Sequence, residues 1–158
     1  MVGLPGVPPL LFDLASNAAH IVAVGEDATA QDCAFVSADG GQTWTPRSLG
    51  VGSVPWRIVH GNGVFVTLMS GGYIRWARDT AVWNSPSVIF GAAGTWKAIS
   101  HDGARFVLVG DDGVKTVVSY SYDGDVWSTP VQASATRYDL EDLIYTGRQW
   151  VGVGRLTT

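Results

Sequence analysis

Helix-forming charge is nearly missing from this sequence. Only Glu26 and Glu141 among its 14 acidic residues are glutamates, and only Lys97 and Lys115 among its ten basic residues are lysines. Glu and Lys support helices whereas Asp and Gly supply turns, so a helical architecture is effectively excluded. Cysteine is reduced to Cys33, which rules out an intrachain disulfide and a cysteine-built metal cage and leaves the compartment undecided. There is no apolar run of about 18 residues that would cross a membrane as a helix. There is also no block of Lys or Arg, and the net charge is −4, so the electrostatic footprint of a nucleic-acid binder is missing. Charged residues make up 15% of the chain, too few for a disordered segment. The opening MVGLPGVPPLLFDLA has an apolar patch but no positive leader, and two prolines immediately precede Leu10; it reads as a mature N-terminus rather than a signal peptide.

What is present is 158 residues, 46% of them apolar, enough for one domain with a packed core. Twenty glycines and seven tryptophans point to strands joined by tight turns. The chain also repeats itself. WRIVHGNGVFVTL from Trp56 aligns with WKAISHDGARFVLVG from Trp96, with LEDLIYTGRQWVGVG from Leu140 and more loosely with LFDLASNAAHIVAVG from Leu11. Each copy is an apolar run, a Gly/Asn/Asp turn and a second apolar run, the pattern of a β-hairpin. With Gly25, Met69, Gly110 and Gly154 as register marks, the steps are 44, 41 and 44 residues. Between successive copies lies an outer hairpin, from Cys33 to Trp44, Tyr73 to Trp83 and Thr116 to Trp127, with Pro46, Pro86 and Pro130 following as befits edge strands. Four strands per repeat is the period of a β-propeller blade. The expected fold is therefore all-β, about three and a half four-stranded antiparallel blades in a single domain 1–158. Its units are about 10–53, 54–94 and 95–137, with a partial one at 138–158.

The outer hairpins share a turn motif. Ser37, Asp39, Gly41, Thr43 and Trp44 fit S-x-D-x-G-x-T-W at every fixed position; Ser121, Asp123, Gly124 and Trp127 form a copy one residue shorter, and Asp79 with Trp83 a degraded one. An Asp at a turn accepts hydrogen bonds from backbone N–H groups just downstream, and Gly40 and Gly124 permit positive φ where the chain reverses. The Trp then covers the hairpin, worth about 2 kcal/mol or more. None of these roles needs a ligand. The motif resembles the Asp-box, or bacterial neuraminidase repeat, of many β-propellers. That resemblance implies a propeller fold with boxes lying away from any catalytic face. The inner-hairpin wording is similar to repeats in bacteriophage tail and other virion-associated proteins.

A sialidase is the obvious enzyme to test, because Asp-boxes are best known there. Such a site needs three arginines for a carboxylate, a Tyr/Glu nucleophile pair and an acidic acid/base residue. The only echo is Trp56-Arg57-Ile58-Val59, which lacks the family's proline and follows the first box instead of preceding it. Glu141 with Tyr145 falls on a repeat position explained by packing. Asp111-Asp112-Gly113 reads as a turn, and Asp139, Glu141 and Asp142 as a solvated loop entering a strand, rather than as glycosidase pairs. Asp123 and Asp125 lack the ligand series of a calcium loop. His20, His60 and His101 recur beside hairpin turns as surface or turn histidines without metal spacing. No phosphate loop, nucleophile elbow or zincin pattern occurs. No catalytic residue, metal site or cofactor is therefore expected. Tyr73, Arg75 and Trp76 are the candidate glycan-binding residues, since Trp76 alone among the tryptophans lies off the repeat pattern.

Four inner hairpins against three outer ones give 14 strands and an uneven count. An open arc exposes strand edges that pair with other chains. Three arrangements satisfy those edges: closure by the segment from Val7 to Leu11, a second copy making seven blade-equivalents, or docking on another protein. The expected role is a non-enzymatic structural or interaction module, virion-borne or extracellular, forming a homo-oligomer or docking on a larger assembly through protein partners. Surface glycans are a further candidate ligand; nucleic acid and membrane insertion are not expected. A glycan-binding lectin is the alternative, followed by an assembly chaperone and a sialidase-like glycosidase.

Overall fold

A computed structural model describes residues 10–27, 29–50, 52–85 and 95–157. The first antiparallel sheet holds β1 (Leu10–Ser16), β2 (Ile21–Glu26), β3 (Asp32–Ser37) and β4 (Thr45–Ser48) in chain order. The second holds β5 (Pro55–Gly61), β6 (Val64–Met69) and β7 (Ile74–Ala77). β8 (Thr95–His101), β9 (Phe106–Asp111), β10 (Thr116–Ser121) and β11 (Val131–Ser134) form the third, and β12 (Tyr138–Tyr145) with β13 (Trp150–Leu156) the fourth. The fold is all-β, with blade-like sheets; a 3₁₀ turn at Ser70–Gly72 is the only helical piece among the described residues. No helix among them is long and apolar enough to cross a membrane.

Fourteen strands are expected and the described residues hold thirteen. The difference lies in the second sheet, where the fourth strand is reduced to a bridge between Trp76 and Asn84. Pro86 and the rest of 86–94 lie outside the described residues, as do Val7 to Pro9 of the opening segment and the remainder of Met1–Pro9. Pro46 sits in β4, the edge strand of its sheet, and Pro130 just precedes β11.

The aspartates explain how so short a chain makes so many reversals. Asp27, Asp102 and Asp112, and Asn17 in the same way, each open a loop and accept backbone N–H bonds from two to four residues further on, for example Ala104 and Arg105 onto Asp102 at 2.9 and 2.8 Å. The β5–β6 loop is instead Asn62-Gly63, both at positive φ (50° and 74°), the requirement of a two-residue hairpin loop.

The first strand of each inner hairpin carries a bulge at one repeating place. The pairing skips Phe12 in β1, Trp56 in β5, Lys97 in β8 and Glu141 in β12. This register corrects the alignment of the repeats at one position. Pro55, not Trp56, stands opposite Met69 as Trp96 stands opposite Gly110, so Trp56 corresponds to Lys97.

Packing between sheets reuses the same positions. Val22 and Val24 of the first sheet pack with Ile58, Phe65 and Met69 of the second. Val66 and Leu68 of the second pack with Trp96, Ile99 and Phe106 of the third. Val107 and Val109 of the third pack with Leu140, Leu143 and Trp150 of the fourth. In every case two alternate residues of the second strand meet the first strand of the next sheet. Polar links accompany them: the Ile58 N–H donates to Asp13 at 2.9 Å, and Asn62 donates to the Ala104 and Tyr122 carbonyls at 2.7 and 2.9 Å.

Candidate functional site

The turn motif occupies the reversal after β3. The Ser37 hydroxyl donates to Asp39 Oδ1 at 2.8 Å and accepts from the Gly41 N–H at 2.8 Å. Asp39 Oδ1 accepts from the Gln42 and Thr43 N–H groups at 3.0 and 2.9 Å, while the Thr43 hydroxyl donates to Oδ2 at 2.6 Å. Those bonds, the Thr43 hydroxyl foremost, hold the Asp39 carboxyl down at about 2. Trp44 Nε1 donates to the Gly41 carbonyl at 3.0 Å. The turn after β10 repeats this: Ser121 bonds Asp123 and Gly124, Asp123 accepts from Asp125 and Val126, and Trp127 Nε1 donates to the Gly124 carbonyl at 3.0 Å. In the degraded copy Asp79 still accepts from Ala81 and Val82, at 3.1 and 3.3 Å. There Thr80 takes the positive φ of 62°, and Trp83 Nε1 is buried without a hydrogen-bond partner among the described residues. All three carboxylates are turned onto their own loops.

Tyr73, Arg75 and Trp76 do not make one surface. Tyr73 is exposed just before β7. Arg75 is engaged with the Leu49 carbonyl at 2.9 Å and the Ser85 hydroxyl at 2.7 Å. Strand alternation turns Trp76 to the opposite face, where it is half-buried against the core. Arg78 lies over its ring, 5.6 Å from the centroid. The acidic candidates are likewise committed to structure. Asp111 is buried and paired with Arg137 at 3.0 Å, and Asp112 caps its turn. Asp139 lies on β12, not in a solvated loop, and bridges Lys97 at 2.9 Å and Arg155 at 2.8 Å, which together hold it at about 2. Among the described residues no group of three or more His, Cys, Asp or Glu is placed to hold a metal ion.

The histidines close the inner hairpins, and two of them are packed rather than solvated. His60 stacks on Phe65 with centroids 4.6 Å apart, His101 on Phe106 at 4.7 Å, and Tyr145 on Trp150 at 5.0 Å in the equivalent place. His101 Nδ1 accepts from the Gly103 N–H, so neutral His101 carries its proton on Nε2, which is buried without a partner among the described residues, as is Nε2 of His60. Burial pushes both imidazoles below their ordinary value of 6.5; at His101 the Asp102 carboxylate opposes that shift and the charge of His60 adds to it, the net direction being downward. A group with a lowered folded pKa is protonated first in the unfolded chain, so unfolding takes up protons. Stability from the neutral histidines is complete above 6.5 and is lost as pH falls through 6.5 toward the lowered native values. The melting temperature is therefore expected to drop between pH 7.5 and 5.5, and a His60→Phe/His101→Phe double variant to flatten that drop, as differential scanning fluorimetry will read.

Repetition exposes two features the motifs missed. Where a further outer hairpin packs on a sheet, a box tryptophan covers it: Trp83 lies with Ala34 and Val36 of β3, and Trp127 with Ile74 and Trp76 of β7. The equivalent residues of β10, Val118 and Tyr120, instead line an open groove of about 410 Å³ with Arg105, Val131, Leu143 and Trp150. Arg105 stands over Tyr120, 5.2 Å from the ring centroid, and Tyr120 meets exposed Tyr122 edge-on. The second feature is a pair of apolar end faces, Leu11 and Leu14 on β1, and Ile144, Val151 and Val153 on β12 and β13, all exposed and each set placed on one face by the strand registers. β13 is also the outer edge of its sheet. The sequence signal for the groove is the fourth repeat, whose inner hairpin is not accompanied by a turn motif.

No protein-family model matches the chain, and no curated protein matches it. Solved structures do. The computationally designed Ika4 protein superposes with a TM-score of 0.68 at 13% identity, covering 98% of this chain and 91% of that one. YCF48 bound to D1 peptide gives 0.58 at 21% identity, over 90% of this chain and 45% of that one. The GH74 xyloglucanase from Xanthomonas campestris gives 0.62 at 18% identity, over 88% and 25%. The chain thus spans less than half of YCF48 and a quarter of the xyloglucanase. These neighbours are β-propeller-like, and this chain has a β-propeller-like fold.

Proposed function

We propose that this chain is a non-enzymatic structural and interaction module of Asp-box blades, a component of a virion tail or capsid surface that mediates assembly or host-surface attachment. The observation that carries this reading is the pair of exposed apolar end faces together with the open β13 edge, surfaces that in water favour protein contact. The three box turns support the Asp-box kinship, and the repeat wording supports the virion setting. YCF48, similar in fold, has been solved with a peptide bound, a precedent for a propeller-like array that engages another chain. The test is quantitative mass spectrometry of purified particles from the source organism. The chain is expected at a fixed ratio to the major structural proteins. Recovery only in the particle-free fraction overturns the virion role, and a one-to-one complex there with a single protein points to an assembly chaperone.

Glycan binding is the second reading, now centred on the groove beside Tyr120 rather than on Tyr73, Arg75 and Trp76. Aromatic faces next to a guanidinium suit the apolar face and hydroxyls of a sugar. A glycan array, with Tyr120→Ala as the control, decides it: specific binding lost in the variant favours the lectin.

A further inference from the structure

Resting on the reading of this chain as an assembly module, we infer that its partner at the end faces is a second copy of itself, joined head to tail. The sheet junctions inside the chain define what each end face fits. In all three, two alternate residues of one sheet's second strand meet a residue two before the hairpin-closing residue of the next sheet's first strand. Those contacts are Val22 and Val24 on Ile58, Val66 and Leu68 on Ile99, and Val107 and Val109 on Leu143.

Carried one step further, the register assigns Val151 and Val153 to the donating role in the fourth sheet, and Leu14 to the receiving role in the first. These are residues the fold leaves in water: Leu14 is 64% exposed and Val153 58%, whereas their counterparts Leu143 and Val109 are 9% and 3% exposed. The two ends are therefore the unmatched halves of a contact this chain already makes three times. A face that fits a different face on the same molecule builds a heterologous contact, which closes into a ring or runs on as a filament. Two copies bring eight inner hairpins, a number within the usual range of about four to eight blades, whereas three copies bring twelve. Counted by inner hairpins, the pair forms eight sheets rather than seven blade-equivalents.

The test is multi-angle light scattering of the 158-residue chain at micromolar concentration, with Leu14→Asp on the receiving face and Val153→Asp on the donating face. Both positions are largely exposed, so far-UV circular dichroism of each variant is expected to match the wild type; the milder pair Leu11→Asn and Val151→Asn replaces any variant that does not. The wild type is expected at two chain masses and each variant alone at one. An equimolar mixture of the two variants is expected to recover two chain masses, because one junction of the mixed pair joins two unaltered faces. A wild type at one mass, or above two, overturns the inference. So does dissociation by only one of the two substitutions, the signature of like faces pairing, or a mixture that stays at one mass. The particle measurement above is independent of these results: a monomer found in particles removes the self-association and keeps the module.

Discussion

Trp127→Ala is expected to lower the stability of the fold by about 3–5 kcal/mol, the range for truncating a fully buried tryptophan. Trp127 is 2% exposed and lies in the largest apolar cluster, touching residues of both the second and third sheets. Its loss therefore empties the seam that joins them, and the Gly124 carbonyl loses the indole donor at the same time. Equilibrium urea unfolding followed by tryptophan fluorescence reads the effect as a lower midpoint. The milder Trp→Phe change separates packing from hydrogen bonding. Trp127→Phe removes a bond of 3.0 Å, whereas Trp83→Phe removes an N–H that has no partner among the described residues. An unpaired buried donor costs free energy, so Trp83→Phe is expected to be the less damaging of the two. Equal losses would mean that the indole bond contributes nothing.

Gly61→Ala is expected to cost about 1–3 kcal/mol, the usual penalty for overfilling a packed site. A Cβ on Gly61 would fall 2.3 Å from His101 Cδ2 and 2.4 Å from two further ring atoms. The imidazole then has to leave β5, giving up its stacking on Phe106. This variant carries a second readout. Once displaced into water, His101 titrates nearer its ordinary value, so the loss of stability between pH 7.5 and 5.5 is expected to shrink even as the total stability falls. A stability loss with the full acid sensitivity retained would show that His101 stays buried and that the strain is absorbed elsewhere.

The sheets were legible in the sequence because their signals are local. Alternation, turn aspartates and a box tryptophan each act within about a dozen residues, and the repetition multiplied them. Registers were less legible: a bulge changes pairing by one residue without changing composition, which is why Trp56 was aligned with Trp96 while the backbone pairs Pro55 in that place. The end faces were hidden for a different reason. Val153 and Val109 look alike in sequence, and what distinguishes them is the presence of a neighbour in space. Trp76 illustrates the converse, being singled out as exceptional in the pattern and then found packed under the next sheet. The place of Asp139 is not legible locally because its two partners, Lys97 and Arg155, come from different strands.

Three junctions built from equivalent positions also mean that cohesion here is a nearest-neighbour quantity. The free energy of such an array grows as a sum of intrinsic terms and couplings between adjacent members, much as in a linear chain of interacting spins. No single central core fixes how many members belong. Duplication or loss of one whole unit of 41 to 44 residues leaves the remaining junctions within the chain intact, so the array inside one chain changes length in quantised steps, and the closure of a ring between copies is what sets the number that fits.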